Sequence, residues 1–281
     1  MIVSMVVPCY KGNKYLNQIN NMAMRNAQNL PDGYTLELVL VNDSPWEIID
    51  RSLFNEEGYS LKVIINKKNS GIHQSRINGI KAASGEYLLM LDQDDLIADD
   101  CFACHIKSIG NADLSVSDGY KRNGDGDRAI YGSLKQHKKI DKILWYLYME
   151  NRILSPGQCL IKKNSIPKEW SKYIMQENGA DDMLLWIMML SKKATFKPLY
   201  KKLYIHVTTG ENVSDDDNKM AKSTFEMLDI IKKTGYCNFF LRTILERKIK
   251  NDVFYNEKGY DKYLDYRLIE FFRKIKGKSR K

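Results

Sequence analysis

The sequence predicts an α/β fold: a mixed, mostly parallel sheet flanked by helices, followed by a C-terminal helical appendage. Three observations predict it. Over the first hundred residues short β-rich runs alternate with helical stretches, the rhythm of strand–helix–strand units. The 281 residues, 43% hydrophobic and 28% charged, suit one large domain with an appendage better than two equal domains. From about Asp216 the chain turns helical, basic and aromatic.

The elements follow in order. IVSMVVP (2–8) reads as a buried strand that Pro8 closes. A helix from Lys14 to about Gln28 carries Leu16, Ile19, Met22 and Ala23 at helical spacing. LELVLVN (36–42) and LKVIIN (61–66) are the second and third strands, residues 72–83 a helix, and EYLLMLD (86–92) a fourth strand. The middle is less regular: a strand leading into a Gly/Asp loop over 114–132, a helix over 142–151, and a turn with a short strand over 155–166. A helix with acidic residues in its first turn covers 178–194, and a strand with a polar loop covers 201–214. No internal repeat is visible.

A formal charge of +9 calls for an acidic partner: nucleic acid, anionic lipid or a phosphorylated small molecule. Nucleic acid is not expected, since no recognised motif accompanies the charge. The five cysteines (9, 101, 104, 159 and 237) give an odd count, with two in strand-like runs, which predicts reduced thiols and a cytoplasmic location. Cys101 and Cys104 form a lone CxxC, read as buried small hydrophobes ahead of a metal or redox site. The N-terminal run lacks a basic flank and reads as a strand, not a signal peptide. No apolar run reaches the length of a spanning helix.

Three strand ends carry chemically capable residues: Pro8-Cys9-Tyr10, Asn42-Asp43-Ser44 and Asp92-Gln93-Asp94. In parallel sheets ligands bind beyond the carboxyl ends of the strands. Asp92, Asp94 and Asp95 crowd three like charges, which raise one another's pKa unless neutralised. A divalent cation with an anionic ligand is one neutraliser, because Mg²⁺ and Mn²⁺ take hard oxygen donors. A solvated turn with helix-capping aspartates is the other use of such residues.

Residues 66–95 resemble the nucleotide-sugar-binding core of family 2 glycosyltransferases with the Rossmann-like GT-A fold. Gly71, Arg76, Gly79, Ala83, Gly85, Glu86, Tyr87, Leu91, Asp92, Asp94 and Asp95 match its pattern in order. Pro8, Tyr10 and Asn42-Asp43-Ser44 match as well, so the resemblance spans roughly residues 2–214. Two departures stand out: Ile77 replaces an Asn after the helix Arg, and Ser44-Pro45-Trp46 replaces a Gly-Ser turn, implying a remodelled rim beside the base pocket.

The resemblance implies a catalytic domain over 1–215, with a nucleotide-sugar half over about 1–100 and an acceptor half over about 101–215, before a C-terminal region over 216–281. It implies an inverting, metal-dependent transfer from a nucleoside-diphosphate sugar, most simply UDP-linked, to a saccharide or lipid-linked saccharide. Asp43 would accept from the base, Tyr10 and Pro8 would line the base site, and Asp92 would contact the ribose beside Gln93. Asp94, with Asp92 and His206, would hold Mn²⁺ or Mg²⁺. Arg76 is the nearest cation for the diphosphate or ribose, or else a surface residue of its helix.

GADDMLLWIMML (179–190) resembles the family's acidic pair at a helix start. Asp182 would be the base that takes the acceptor's proton and Asp181 an acceptor-hydroxyl or helix-start residue. Both are equally at home capping a helix. His206 ends a strand before a polar loop, where a histidine is as often simply hydrogen-bonded. The final nine residues hold six basic groups near Phe271, Phe272 and Ile275, which suits either a peripheral contact with an anionic membrane or a solvated tail. Two other readings compete. One is a phosphatase of the haloacid-dehalogenase type with Asp92 as nucleophile, although Leu96 stands where such enzymes place Thr or Val. The other is a non-catalytic membrane- or saccharide-binding module on a transferase scaffold.

Overall fold

A computed structural model describes residues 1–56, 58–210 and 216–275. Its first half follows the predicted alternation. Strands β1 (Ile2–Cys9), β2 (Thr35–Asn42), β3 (Tyr59–Ile65) and β4 (Tyr87–Met90) pair in parallel in the spatial order β3-β2-β1-β4. Helix α1 (Leu16–Gln28) links β1 to β2, and α2 (Gly71–Ala82) links β3 to β4. The strands are nearly continuous apolar runs because both faces are covered. Val3, Met5 and Val7 join one core with Leu16 and Ile19 of α1, while Val6 joins the other with Ile77 and Ile80 of α2. Ile77, the departure noted above, is therefore a core residue. Gly79 lets α2 lie close on β1: a Cβ there would sit 2.3 Å from Val6 Cγ1.

The strand order reverses at β1, and such a switch opens a crevice at the carboxyl edge. Pro8 widens it. Val6 turns its carbonyl toward β4 and accepts from the Leu91 N–H at 2.9 Å. Pro8, two residues on, faces the same way but has no N–H to donate. Pairing with β4 accordingly stops at Val6–Met90, while pairing with β2 runs on to Cys9–Asn42.

The second half runs through β5 (Leu96–Ile97), α3 (Cys101–Ile109), β6 (Leu114–Asn123), β7 (Gly126–Ala129), α4 (Leu134–His137) and α5 (Ile143–Tyr148). It continues through β8 (Cys159–Lys162), α6 (Lys168–Lys172), α7 (Asp181–Ser191) and β9 (Phe196–Val207). The sheet extends as β4-β8-β6-β9-β5, with β8 antiparallel to β4 and β6, and β9 parallel to β6. β9 starts five residues earlier than the sequence suggests, and β5, only two residues long, has no periodicity to announce it.

Helices α8 (Asp217–Thr234), α9 (Phe239–Lys258) and α10 (Leu264–Ile275) form the C-terminal region. Asp216 caps α8 by accepting from the N–H groups of Asn218 and Lys219. Met227 and Ile231 of α8 and Leu245 and Ile249 of α9 share one core with Leu184, Trp186 and Met188 of α7. α8 and α9 thus pack back on the rest of the chain. The predicted polar loop's residues 211–215, the side chains of Phe272 and Ile275, and the basic tail lie outside the described residues. All five cysteines are free and buried, as expected for the CxxC pair. Among the described residues no helix is long and apolar enough to cross a membrane.

Candidate active site

The apolar β4 delivers Asp92–Asp95 to the crevice, and the structure separates the three acids. Asp92 Oδ1 accepts from Arg76 Nη2 at 2.6 Å and Oδ2 from Ser155 Oγ at 3.3 Å. Asp95 is fully buried; it accepts from the Tyr204 hydroxyl and from the Val207 N–H at 2.9 Å, and it pairs with His206 Nδ1 at 3.2 Å. Asp95 thereby ties the end of β9 to the loop. Asp94 has no hydrogen-bond or ion-pair partner on another described residue. Burial, then the charges of Asp95 and Asp92, push its carboxyl up to about 6. Gln93 points elsewhere: its Oε1 accepts from the Tyr10 N–H at 3.0 Å and its Nε2 donates to the Tyr10 carbonyl at 3.1 Å, stitching the loop to the end of β1.

Arg76 is 5% exposed, so it is not the surface residue of its helix that the sequence left open. Its buried guanidinium donates Nη2 to Asp92 and Nη1 to Asp181 Oδ2, both at 2.6 Å. Each terminal nitrogen donates to a carboxylate from a different part of the chain. Asp181, 2% exposed, stands at the first position of α7.

Asp182, the next residue of α7, keeps its charge unpaired. Its Oδ2 accepts from Asn151 Nδ2 at 3.0 Å and its Oδ1 from the Met183 N–H at 2.6 Å. Burial, followed by the charge of Asp181, raises it to about 7, against the opposing pull of Arg76. A carboxylate that releases its proton near neutrality is suited to general-base work.

Asp43 is almost fully buried at the start of α2. Its Oδ1 accepts from Asn66 Nδ2 at 2.7 Å and the Ser70 N–H at 2.8 Å, and its Oδ2 accepts from the Gly71 N–H at 2.9 Å. A carboxylate has about four acceptor positions, which leaves one on Oδ2 for a ligand. Gly71 holds φ +82, and Asn178 packs across it, accepting from the Ile72 N–H at 3.1 Å. Pro8 contributes through the strand geometry given above, and Tyr10 is 42% exposed at the crevice's rim.

Sequence reasoning missed Asn151, Ser155, Asn178 and Tyr204. Each lies in an irregular segment or in a strand whose partners are distant in sequence, and no spacing marks them.

The model of "Glycosyl transferase family 2" matches residues 4–169, more than half of the chain. The chain belongs to glycosyl transferase family 2. It is 26% identical over 129 residues to glycosyltransferase GlyG of Streptococcus pneumoniae, covering 44% of this chain and 40% of that protein. It is 25% identical over 217 residues to chondroitin synthase of Escherichia coli, covering 76% of this chain and 30% of that one. The chain spans less than half the length of these curated relatives. Among solved structures, S. aureus TarS 1–349 in complex with UDP-GlcNAc superposes with a TM-score of 0.64 at 20% identity, covering 94% of this chain and 77% of that one. The shared architecture is the GT-A type fold.

Family membership displaces the phosphatase reading, and the geometry agrees: Asp92, its nucleophile, is salt-bridged and hydrogen-bonded on both oxygens. For a divalent cation, the donor set fits. Asp94 offers an unpartnered hard oxygen. His206 meets Asp95 through Nδ1, the kind of carboxylate contact that orients metal-ligating histidines. Burial opposes a charge on His206, but its hydrogen bond to Asp95 and the carboxylate charges around it outweigh that and raise its pKa. Among the described residues no three His, Cys, Asp or Glu side chains converge as a ready-made cation site.

Proposed function

We propose that this chain catalyses inverting transfer of a sugar from a nucleoside-diphosphate donor, UDP-linked by preference, to a hydroxyl of a saccharide or lipid-linked saccharide in surface-glycan synthesis. The observation that carries the reading is the Asp92–Arg76–Asp181 bridge. It ties the start of α7 to the loop that carries Asp92, and Asp182, next along α7, is raised to about 7 by burial and the charge of Asp181.

Asp182 takes the proton as the acceptor oxygen bonds to the anomeric carbon. The bond from that carbon to the diphosphate oxygen breaks with its electron pair leaving on the nucleoside diphosphate, and attack from the opposite face inverts the centre. Asn151 and the Met183 N–H aim the Asp182 carboxylate. Asp43 and Tyr10 receive the base, and Asp92, steadied by Arg76 and Ser155, lies against the ribose. Asp94 and His206 would hold Mn²⁺ or Mg²⁺, which when bound neutralises charge on the leaving diphosphate. Asp181 and Arg76 act as positioning residues, and residues 1–215 form the catalytic domain.

Incubation with UDP-, GDP- and TDP-sugars and a panel of saccharides, with product configuration read by NMR, tests the reaction. The expected product is inverted at the anomeric carbon. Binding of UDP without any turnover would favour the non-catalytic module instead.

We also propose peripheral contact with an anionic membrane through the C-terminal region. Phe239, Phe240, Leu268 and Phe271 are exposed there among basic residues, which supports it. Cosedimentation with anionic but not neutral vesicles is the expected result.

A further inference from the structure

At the carboxyl ends of β1 and β2 two aromatic side chains stand unburied. Trp46 is 60% exposed and Tyr10 42%, and their ring centroids lie 6.2 Å apart with the planes at 89°. The two rings meet at nearly a right angle, on the two segments that follow β1 and β2, the second of which also carries Asp43.

The corner is built rather than loose. Ser44, Pro45, Trp46 and Glu47 make a turn closed by the Glu47 N–H on the Ser44 carbonyl at 2.8 Å, with Pro45 at its second position, where a fixed φ is favoured. Asn42 braces the same turn twice. Its Oδ1 accepts from the Ser44 N–H and its Nδ2 donates to the Glu47 carbonyl, both at 2.8 Å. The turn is fastened to the Tyr10 side by the Lys11 N–H on Ser44 Oγ at 2.8 Å and by Asn13 Nδ2 on the Ile48 carbonyl at 3.2 Å. Gln93 fixes the Tyr10 backbone from the other side. Trp46 is thus displayed toward solvent by a hydrogen-bonded frame that does not need its side chain.

A planar heteroaromatic ring fits a perpendicular aromatic corner by laying its face on one wall and its edge on the other. Asp43, which follows the same strand end, keeps one acceptor position on Oδ2 that a ring N–H could use. A single wall such as Trp46 also limits how far a fused second ring can extend.

We propose that Trp46 is a specificity-determining residue for the donor, forming with Tyr10 a corner that accepts a pyrimidine base and disfavours a purine. This rests on the reading of the crevice as a nucleoside-diphosphate site. Its own content is that base selection depends on Trp46, a side chain on the turn that replaces Gly-Ser here.

The test is calorimetry with Mn²⁺ on the wild type, Trp46→Ala and Trp46→Phe, using UDP, GDP and inorganic pyrophosphate as probes. Stacking contacts predict that Trp46→Ala weakens UDP about tenfold and narrows the preference for UDP over GDP. Pyrophosphate binding stays unchanged, which also reports an intact fold, and Trp46→Phe recovers most of the loss. Two results overturn the inference alone: UDP affinity in Trp46→Ala within about twofold of wild type, or a parallel loss of pyrophosphate binding. A wild type that binds neither nucleotide overturns the underlying reading, and the inference with it.

Discussion

The two acidic clusters of the crevice are built alike and finished differently. Each gives one carboxylate to Arg76, Asp92 from the β4 end and Asp181 from the α7 start, and each leaves a neighbour without a cation. The two neighbours then diverge. Asp94 is half-buried and has no described partner, so its oxygens are available to a hard ion. Asp182 is 8% exposed, held by Asn151 and its own helix, and raised to about 7, which suits it to receive a proton. Repulsion between like charges is thus relieved pair by pair, and the acids left over sit in different surroundings.

Breaking the shared element should have the largest effect. Arg76→Met leaves the buried Asp181 and the half-buried Asp92 without a counter-charge and is expected to destabilise the fold by about 3–5 kcal/mol, read from urea unfolding. Asp94→Asn, which removes an unpaired charge, should leave metal-free stability equal or higher. A similar loss in both variants would break the contrast between paired and unpaired acids.

The next effect separates the leftover acids by pH. Activity of the wild type should rise with pH through about 7 as Asp182 loses its proton, and Asp182→Ala should lower kcat by about a hundredfold to ten-thousandfold. Stability carries the opposite sign. An unfolded Asp titrates near 4, so between about 4 and 7 the folded state holds a proton that the unfolded state has released. Stability therefore falls as pH rises through that window, and Asp182→Asn should flatten the fall in thermal melts across pH.

Asn151→Ala should give the smallest change. It removes one donor to the ionised Asp182, so the acidic limb of the rate profile moves to higher pH by up to about one unit. A shift to lower pH would show that Asn151 does not stabilise the charged form.

The parallel half was legible because a strand buried on both faces is an uninterrupted apolar run, and its carboxyl end has a known use. Asp92, Asp94 and Asp182 stand at such ends or at a helix start, so the sequence located them. Their partners were not legible. Arg76 reads from the sequence as the nearest cation for the diphosphate or ribose, or as a surface residue; that Asp181, 105 residues away, takes one end of it depends on how α2 and α7 share a core. Asn151, Ser155 and Asn178 come from loops with no period to read. His206 was found, but its tie to Asp95 follows from the antiparallel register of β5 and β9, and β5 is too short to predict.

The central claim, that Asp94 serves the metal and Asp182 the proton, is tested most directly by Mn²⁺-dependent UDP binding in Asp94→Ala and Asp182→Ala, each also assayed for turnover. The account predicts that Asp94→Ala loses the metal-dependent part of UDP binding, whereas Asp182→Ala binds UDP and Mn²⁺ like the wild type and does not turn over. Unchanged metal-dependent binding in Asp94→Ala, or full turnover in Asp182→Ala, would contradict it.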